Sequence, residues 1–198
     1  IINYFLGNWF GVKPGWLNDL WRYDLTSRLW TWESGSDRES PPGSYGVKGV
    51  ADPANVPGGR TGAVSWTDSQ DRLWLFGGTG RISAANSGRL NDLWRYDPVS
   101  RQWTWMAGSN LAAMYGIYGT KYAAGSYLPG GRAFALSWTA PDGKFWLFGG
   151  GGRTGVTPEA CWRAGGRNGS APRSRYPPRW HPCITVGSWQ YAFLYPMP

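Results

Sequence analysis

The sequence contains few of the side chains on which enzymes and metal sites depend. Its 198 residues include one His, two Cys, three Glu and four Lys. Glu and Lys are good helix formers, so their scarcity argues against a helical protein. No apolar run approaches the ~20 residues that a membrane-spanning helix needs, and we therefore expect no transmembrane segment. A Ser-His-Asp site would have to use the single His, and nothing positions it against a serine.

The abundant residues favour β-structure. The chain has 30 Gly, 15 Pro, 15 Trp, 11 Tyr and 7 Phe. Aromatic residues are enriched in strands, while Gly and Pro are typical of tight turns. This composition predicts an all-β protein built from short strands.

The positive charge is spread in a way that disfavours a nucleic-acid partner. The net charge is +8, and residues 1–155 and 156–198 each contribute +4. In the first part Arg alternates with Asp in strand-like segments, which is typical of a solvated or ion-paired surface. A nucleic-acid-binding protein more often clusters its basic residues on one face. The chain begins at Ile1 without a signal pattern, so the sequence assigns it no location.

One phrase occurs twice. NDLWRYDLTSRLWTW begins at Asn18 and NDLWRYDPVSRQWTW begins at Asn91, with twelve of fifteen residues identical at an offset of 73. The offset then becomes 72, and PGGR at 57–60 returns at 129–132. A fixed period of this size indicates a repeat architecture.

Each repeat divides into four predicted strands. In the complete copy these are residues 60–66, 73–76, 90–97 and 101–108. The second is apolar throughout, as in a strand covered on both faces, and a Gly-Gly pair ends it. Four antiparallel strands that recur with glycine pairs at fixed offsets predict the blade of a β-propeller.

These motifs resemble the kelch repeat, in which an apolar strand ending in Gly-Gly is followed by Tyr-Asp and then Trp. Here they are LWLFGG at 73–78, Tyr96-Asp97 and Trp103. The longer wording over residues 16–150 is similar to bacterial kelch-repeat proteins. The resemblance implies a β-propeller of about six or seven four-stranded blades, related to the central domain of galactose oxidase.

The recurring tryptophans have two interpretations. They form the pairs Trp21/Trp94, Trp30/Trp103, Trp66/Trp138 and Trp74/Trp146. Flat, rigid rings fill the space between neighbouring blades, which predicts that they form the core. Platforms for sugar rings are the alternative, although recurrence at the repeat offset favours packing.

The predicted propeller is incomplete. Residues 17–36 supply the third and fourth strands of one blade, residues 60–108 a whole blade, and residues 132–150 the first two strands of the next, while residues 4–11 resemble a degraded second strand. We expect about two to three blades, in a fragment or one arc of a larger assembly. Its end blades should expose apolar surface and promote self-association.

The sequence changes character after the propeller domain, which we assign to residues 1–155. Residues 156–198 contain seven Pro and five Arg, and we expect most of this tail to be irregular, with a strand or two at 184–195. A frame-shifted reading of GC-rich DNA would also produce such a tail, so it is either native or an artefact.

The sequence supports no catalytic or metal site. The galactose oxidase relationship raises a copper oxidase, but such a site needs two His, and His181 is the only one. Cys161, His181 and Cys183 match no strong zinc spacing, and the two cysteines could instead form a disulfide. The glycine runs lack the Lys-Ser/Thr of a phosphate loop. We predict no metal, no cofactor and no enzymatic activity.

A repeated loop offers candidate binding residues. Tyr45 and Lys48 recur as Tyr118 and Lys121 in connectors between successive blades, and Tyr127 is an aromatic without a counterpart. Long loops on one rim of a propeller are suited to binding. Alternatively the connector packs on its neighbour, with Tyr anchoring it and Lys reaching solvent or a carbonyl, and the recurrence of both residues favours packing.

Resemblance to kelch proteins implies a non-catalytic module that binds a protein through its inter-blade loops, in an extracellular or cell-surface setting. A carbohydrate-binding propeller, or an accessory domain of a carbohydrate-active or galactose-oxidase-like enzyme, is the alternative. A third interpretation is that the chain is a fragment without independent function.

Overall fold

The computed structural model describes residues 15–83, 85–153 and 155–156. All regular structure in these residues is β-strand, which confirms the all-β prediction. They include no helix that is long and apolar enough to cross a bilayer. The strand predicted from residues 4–11 and the tail from residue 157 onward lie outside the described residues.

The described residues form sixteen short strands, most of them antiparallel to a neighbour. Their bounds are β1 (Leu20–Tyr23), β2 (Trp30–Ser34), β3 (Ala51–Asp52), β4 (Arg60–Thr61), β5 (Val64–Thr67), β6 (Leu73–Phe76), β7 (Thr79–Ser83), β8 (Asn86–Arg89), β9 (Leu93–Asp97), β10 (Gln102–Ala107), β11 (Gly116–Ile117), β12 (Arg132–Ala133), β13 (Leu136–Thr139), β14 (Phe145–Phe148), β15 (Gly151–Gly152) and β16 (Gly155–Val156).

The central blade is the antiparallel sheet β5-β6-β9-β10, in chain order as the four-strand prediction requires. A fifth strand that was not predicted, β3, pairs with the outer edge of β10. Gly77 and Gly78 end β6 where the sequence predicts a stop. Their φ angles of +67° and +92° are ones that residues with a side chain rarely adopt. The chain then forms the unpredicted hairpin β7-β8, which pairs with β4.

A half-blade lies on each side of the central blade. The hairpin β1-β2 pairs Trp21 with Trp32, as β9-β10 pairs Trp94 with Trp105. We call it the leading half-blade, because it corresponds to the third and fourth strands of a blade. The hairpin β13-β14 corresponds to the first and second strands, and we call it the trailing half-blade. Together they give the partial propeller that the sequence predicts.

The two faces of the central blade pack against different neighbours. On the Trp94 face, the rings of Trp94, Tyr96, Trp103 and Trp105 form one core with Leu20 of the leading half-blade. On the Trp66 face, Val64, Trp66 and Phe76 pack with Phe145 and Leu147 of the trailing half-blade. The central blade is therefore covered on both faces by its neighbours, as expected when repeated sheets stack around an axis.

The tryptophans follow the packing prediction only where a blade has neighbours on both sides. Trp94 is 0% exposed, whereas its repeat counterpart Trp21 is 47% exposed. Trp138 and Trp146 of the trailing half-blade are likewise about half exposed. The prediction that all repeated rings are core is therefore wrong for the half-blades, because no described sheet lies against their outer faces. The expected exposure of apolar surface at the end blades is observed.

The turn between β5 and β6 is held by Asp68. Its Oδ1 accepts the backbone N–H groups of Gln70 and Arg72 at 2.9 and 3.1 Å. Its Oδ2 accepts Arg72 Nε at 2.7 Å and Trp74 Nε1 at 2.8 Å. Partial burial alone would raise the pKa of Asp68, but these hydrogen bonds outweigh burial and lower it from 3.8 to about 2.

We expect this turn to make stability dependent on acid pH. Since the folded pKa lies below the unfolded one, ionised Asp68 contributes stability above about pH 4 that is lost as the pH falls toward 2. Asp68→Asn should therefore be less stable than the wild type near neutral pH, with the difference closing toward about pH 2. Urea unfolding across this pH range measures the difference. Asp71→Asn, at an exposed position of the same turn, is the control, and a wild-type advantage independent of pH would contradict the prediction.

Candidate functional site

Two connectors of similar length join the blades. We call residues 36–58 the first connector, which leads from β2 to β4, and residues 109–131 the second connector, which leads from β10 to β12. The first carries Tyr45 and Lys48, and the second carries Tyr118, Lys121 and Tyr127. The structure places the two sets of side chains in different environments.

Tyr45 is buried in the core on the Trp94 face of the central blade. Its ring lies 4.8 Å from the ring of Trp94 and 5.1 Å from that of Trp105. Its hydroxyl donates a 2.6 Å hydrogen bond to Asp92 Oδ2. Burial raises the pKa of Tyr45, and the negative charge of Asp92 raises it further, so the hydroxyl stays protonated. Tyr45 thus ties the first connector, as a hydrogen-bond donor, to the residue that precedes β9.

Asp92 is the centre of a buried polar network. Its carboxylate, which is fully buried, forms a two-pronged ion pair with Arg60, both N···O distances being 2.9 Å. Oδ2 also accepts Trp94 Nε1 at 2.7 Å. Burial alone would lower the pKa of Arg60, but the charge of Asp92 outweighs burial and the net direction is upward. Arg60 therefore stays charged inside the protein.

The same network explains two of the repeated phrases. Arg60 ends PGGR, and the remaining hydrogen bonds of its side chain go to the carbonyl oxygens of Gly58 and Gly77 at 3.0 Å. Asn91 begins NDLW; its Oδ1 accepts Ser109 N at 3.1 Å and its Nδ2 donates to Pro129 O at 3.3 Å. Asp92 and Asn91 therefore hold the PGGR segments on the two sides of the blade.

Sequence reasoning did not single out Arg60, Asn91 or Asp92, although the repetition of both phrases was a usable signal. Asn18 confirms that the pattern is structural, because it bonds Ser36 and Pro57 as Asn91 bonds Ser109 and Pro129. A buried network of this kind specifies how segments distant in sequence fit together.

Lys48 also contacts the central blade. Its Nζ donates to Gly108 O at 2.8 Å and lies 4.3 Å from the centre of the Trp105 ring. Partial burial lowers the pKa of Lys48. Tyr45 and Lys48 therefore hold the first connector against the central blade, in the manner of the packing alternative.

The second connector presents its aromatic residues to solvent. Tyr118 is 51% exposed and Tyr127 is 41% exposed, while Lys121 is exposed as well. Tyr127 stands where the first connector has Asn55, whose Nδ2 donates to Trp103 O at 3.2 Å. No described strand equivalent to β9 or β10 lies beside the second connector, so Tyr118 and Lys121 lack the contacts that Tyr45 and Lys48 make.

The second connector is nevertheless ordered by its own contacts. Ile117 and Leu128 exchange backbone hydrogen bonds of 2.8 and 3.1 Å, and Gly131 N donates to Met114 O at 2.9 Å. The ring of Tyr127 lies directly against the backbone of Gly119, where a Cβ would clash with it. The absence of a side chain at Gly119 thus allows the Tyr127 ring to lie at this position.

The described residues contain no cluster of three or more His, Cys, Asp or Glu side chains suited to a metal ion. Cys161, His181 and Cys183 lie outside the described residues. Among the ion pairs of the described residues, Arg60–Asp92 is the one whose two side chains are both buried.

Comparison with known families agrees with the repeat pattern. Residues 69–107, from the β5–β6 turn to the end of β10, match the model of the Kelch motif. The match confirms the predicted resemblance to the kelch repeat and covers the last three strands of the central blade. No curated protein matches the sequence.

Proposed function

We propose that this kelch-repeat chain is a non-catalytic module that binds a protein partner on its second connector. Kelch repeats commonly form interaction modules. The observation that carries the proposal is the contrast between Tyr45, buried against Asp92, and its repeat counterpart Tyr118, which an ordered loop holds at the surface. A tyrosine that is buried in one repeat but exposed in the other is available, in the exposed position, for contact with another molecule.

The composition of the second connector is that of a binding surface. Residues 109–131 contain four Tyr, several Gly and Ser, one Lys and no Asp or Glu. Tyr is enriched in protein interfaces and in antibody loops, because its ring offers a large contact area at low entropic cost and its hydroxyl forms hydrogen bonds. The first connector has a single Tyr and carries Asp37, Glu39 and Asp52.

Charge indicates what kind of partner fits. Arg153 extends over Tyr115, with its guanidinium 5.3 Å from the ring centre and its Nη1 donating to the Tyr115 hydroxyl at 3.1 Å. Lys121, which follows Tyr118 by three residues, adds a second positive charge to the same connector. A partner with acidic groups around an apolar contact area complements this surface. Because the loop is already ordered, less entropy is lost on binding.

When an extract of the source organism is passed over the immobilised full chain, we expect the chain to retain a partner protein. Mass spectrometry identifies that protein. Titration calorimetry with the purified partner then gives the affinity. We expect Tyr118→Ala and Tyr127→Ala each to weaken binding by about tenfold or more, as for an interface hot spot. Val99→Ala, in the exposed β9–β10 turn, should leave the affinity unchanged.

Two outcomes would contradict the proposal. The first is a partner whose affinity neither tyrosine variant changes while circular dichroism shows that both are folded. The second is specific binding on a glycan array that Tyr127→Ala abolishes, which would support the carbohydrate-binding alternative instead.

A further inference from the structure

The two half-blades supply complementary strands. In the central blade the second strand, β6, pairs with the third, β9. The trailing half-blade has a first and a second strand, and the leading half-blade has a third and a fourth. Among the described residues, the outer edge of β14 and the outer edge of β1 have no partner strand. Each half-blade therefore has the two strands that the other half-blade lacks.

The exposed faces of the half-blades are complementary as well. The outer face of the leading half-blade carries Trp21, Tyr23, Trp30 and Trp32, which correspond to the Trp94 face. The outer face of the trailing half-blade carries Trp138, Trp146 and Phe148, which correspond to the Trp66 face. Within the chain a neighbouring blade covers each kind of face.

The sequences at the two free edges match a pair that already forms within the chain. The paired strands β6 and β9 begin LWLF and LWRY, and the free strands β14 and β1 read FWLF and LWRY. A single residue differs, Phe145 in place of Leu73. The occupant that fits each free edge is therefore a second copy of this chain.

We propose that copies of this chain associate head to tail, with β14 of one copy pairing antiparallel with β1 of the next to complete a four-stranded blade. In the register of β6 and β9, Phe145 lies opposite Tyr23 of the next copy and Leu147 lies opposite Trp21 of the next copy. The composite blade consists of β13 and β14 from one copy and β1 and β2 from the other.

The internal interface also gives the contacts expected across copies. Trp66 stacks on Phe145 at 5.2 Å with an interplanar angle of 14°, and its Nε1 donates to Trp146 O at 3.2 Å. By the repeat offset, Trp138 packs on Leu73 of the next copy and donates to its Trp74 carbonyl. Trp138 is 48% exposed in the single chain, so this contact removes a large apolar area from water.

Head-to-tail contacts form a ring when the rotation between copies closes. Each copy contributes the equivalent of two blades, because it has one central blade and two half-blades. Because propellers have about four to eight blades, a closed ring contains about two to four copies.

The full chain tests this in two ways. Sedimentation and native mass spectrometry should show a closed species of about two to four 21.9 kDa chains. Hydrogen exchange should show backbone amides of β1 and β14 that are protected in this species and lose protection on dilution. A chain that is monomeric at about 50 μM would overturn the proposal, as would edges that are protected in the monomer by residues of the same chain.

Paired variants distinguish head-to-tail from symmetric association. Trp30→Asp blocks the leading half-blade and Trp138→Asp blocks the trailing one, so each variant alone should be monomeric. When the two variants are mixed, the intact trailing half-blade of Trp30→Asp should pair with the intact leading half-blade of Trp138→Asp. The mixture should therefore form a dimer and nothing larger. Val99→Asp, in a turn away from both faces, should assemble as the wild type does.

A symmetric dimer that survives either substitution, or folded variants that fail to combine, would rule out the composite blade. If either variant fails to fold, the hydrogen exchange of the wild type decides alone. By the repeat offset, Tyr118 lies against Asp19 of the next copy in the assembly, as Tyr45 lies against Asp92 within the chain. Partner binding is therefore measured on the monomeric Trp30→Asp variant, so that its failure and the failure of association are separate results.

Discussion

Asp92→Ala is expected to lower the free energy of unfolding by about 3–5 kcal/mol, which is typical when one member of a buried ion pair is removed. The substitution leaves the charge of Arg60 buried without a counter-charge. It also removes the acceptor for Tyr45 Oη and for Trp94 Nε1. Urea unfolding followed by circular dichroism measures the loss.

The repeat supplies the matched control. Asp19 holds the same position in the first NDLW, and its Oδ2 accepts Trp21 Nε1 at 2.7 Å in an exposed setting. Asp19→Ala should therefore cost about 1 kcal/mol or less, because solvent replaces the lost hydrogen bond. Equal losses at Asp19 and Asp92 would show that burial of the network does not determine its contribution.

A second substitution tests the cause. If the loss in Asp92→Ala comes from the unpaired charge, then adding Arg60→Met should restore about 1 kcal/mol or more. A double variant that is less stable than Asp92→Ala would instead indicate that Arg60 stabilises the fold mainly through its bonds to Gly58 and Gly77.

The local pattern was sufficient to predict the strands of the central blade. Alternation, apolar runs and glycine stops are properties of a short segment, and β5, β6, β9 and β10 follow them. The hairpin β7-β8 and the edge strand β3 were not predicted, because their pairing depends on segments that tertiary structure brings alongside. Residues such as Gly80 and Gly88 give no strand signal of their own.

The sequence indicated which connectors carry the candidate residues, but it did not indicate which of those residues are buried and which are exposed. The repeat treats Tyr45 and Tyr118 as equivalent, and the sequence therefore predicts one role for both. The structure separates them, because Tyr45 reaches Asp92 and Trp94 on a neighbouring strand, whereas Tyr118 has no such described neighbour. The Arg60–Asp92 pair joins residues 32 positions apart, and only the recurrence of their phrases marks them in the sequence.

Trp94→Ala is expected to destabilise the chain by about 3–5 kcal/mol, the range for removing a fully buried aromatic side chain from a core. The ring is 0% exposed and packs on Tyr45 and, edge to face at 6.4 Å, on Trp103. Its repeat counterpart Trp21 is 47% exposed, so Trp21→Ala in the dilute monomer should cost about 1 kcal/mol or less. Urea unfolding followed by far-UV circular dichroism compares the two without depending on the fluorescence of the deleted ring.

The concentration dependence of these two effects separates packing within one chain from packing between copies. Trp94 is buried in every copy, so the loss in Trp94→Ala should not change with protein concentration. Trp21 is buried only in the composite blade, so the loss in Trp21→Ala should increase as the wild type assembles. Trp94→Phe, which keeps most of the packing and removes the hydrogen bond to Asp92, should fall between the wild type and Trp94→Ala. Losses at Trp21 and Trp94 that are equal in the monomer would mean that the indole rings do not stabilise the protein by packing between sheets.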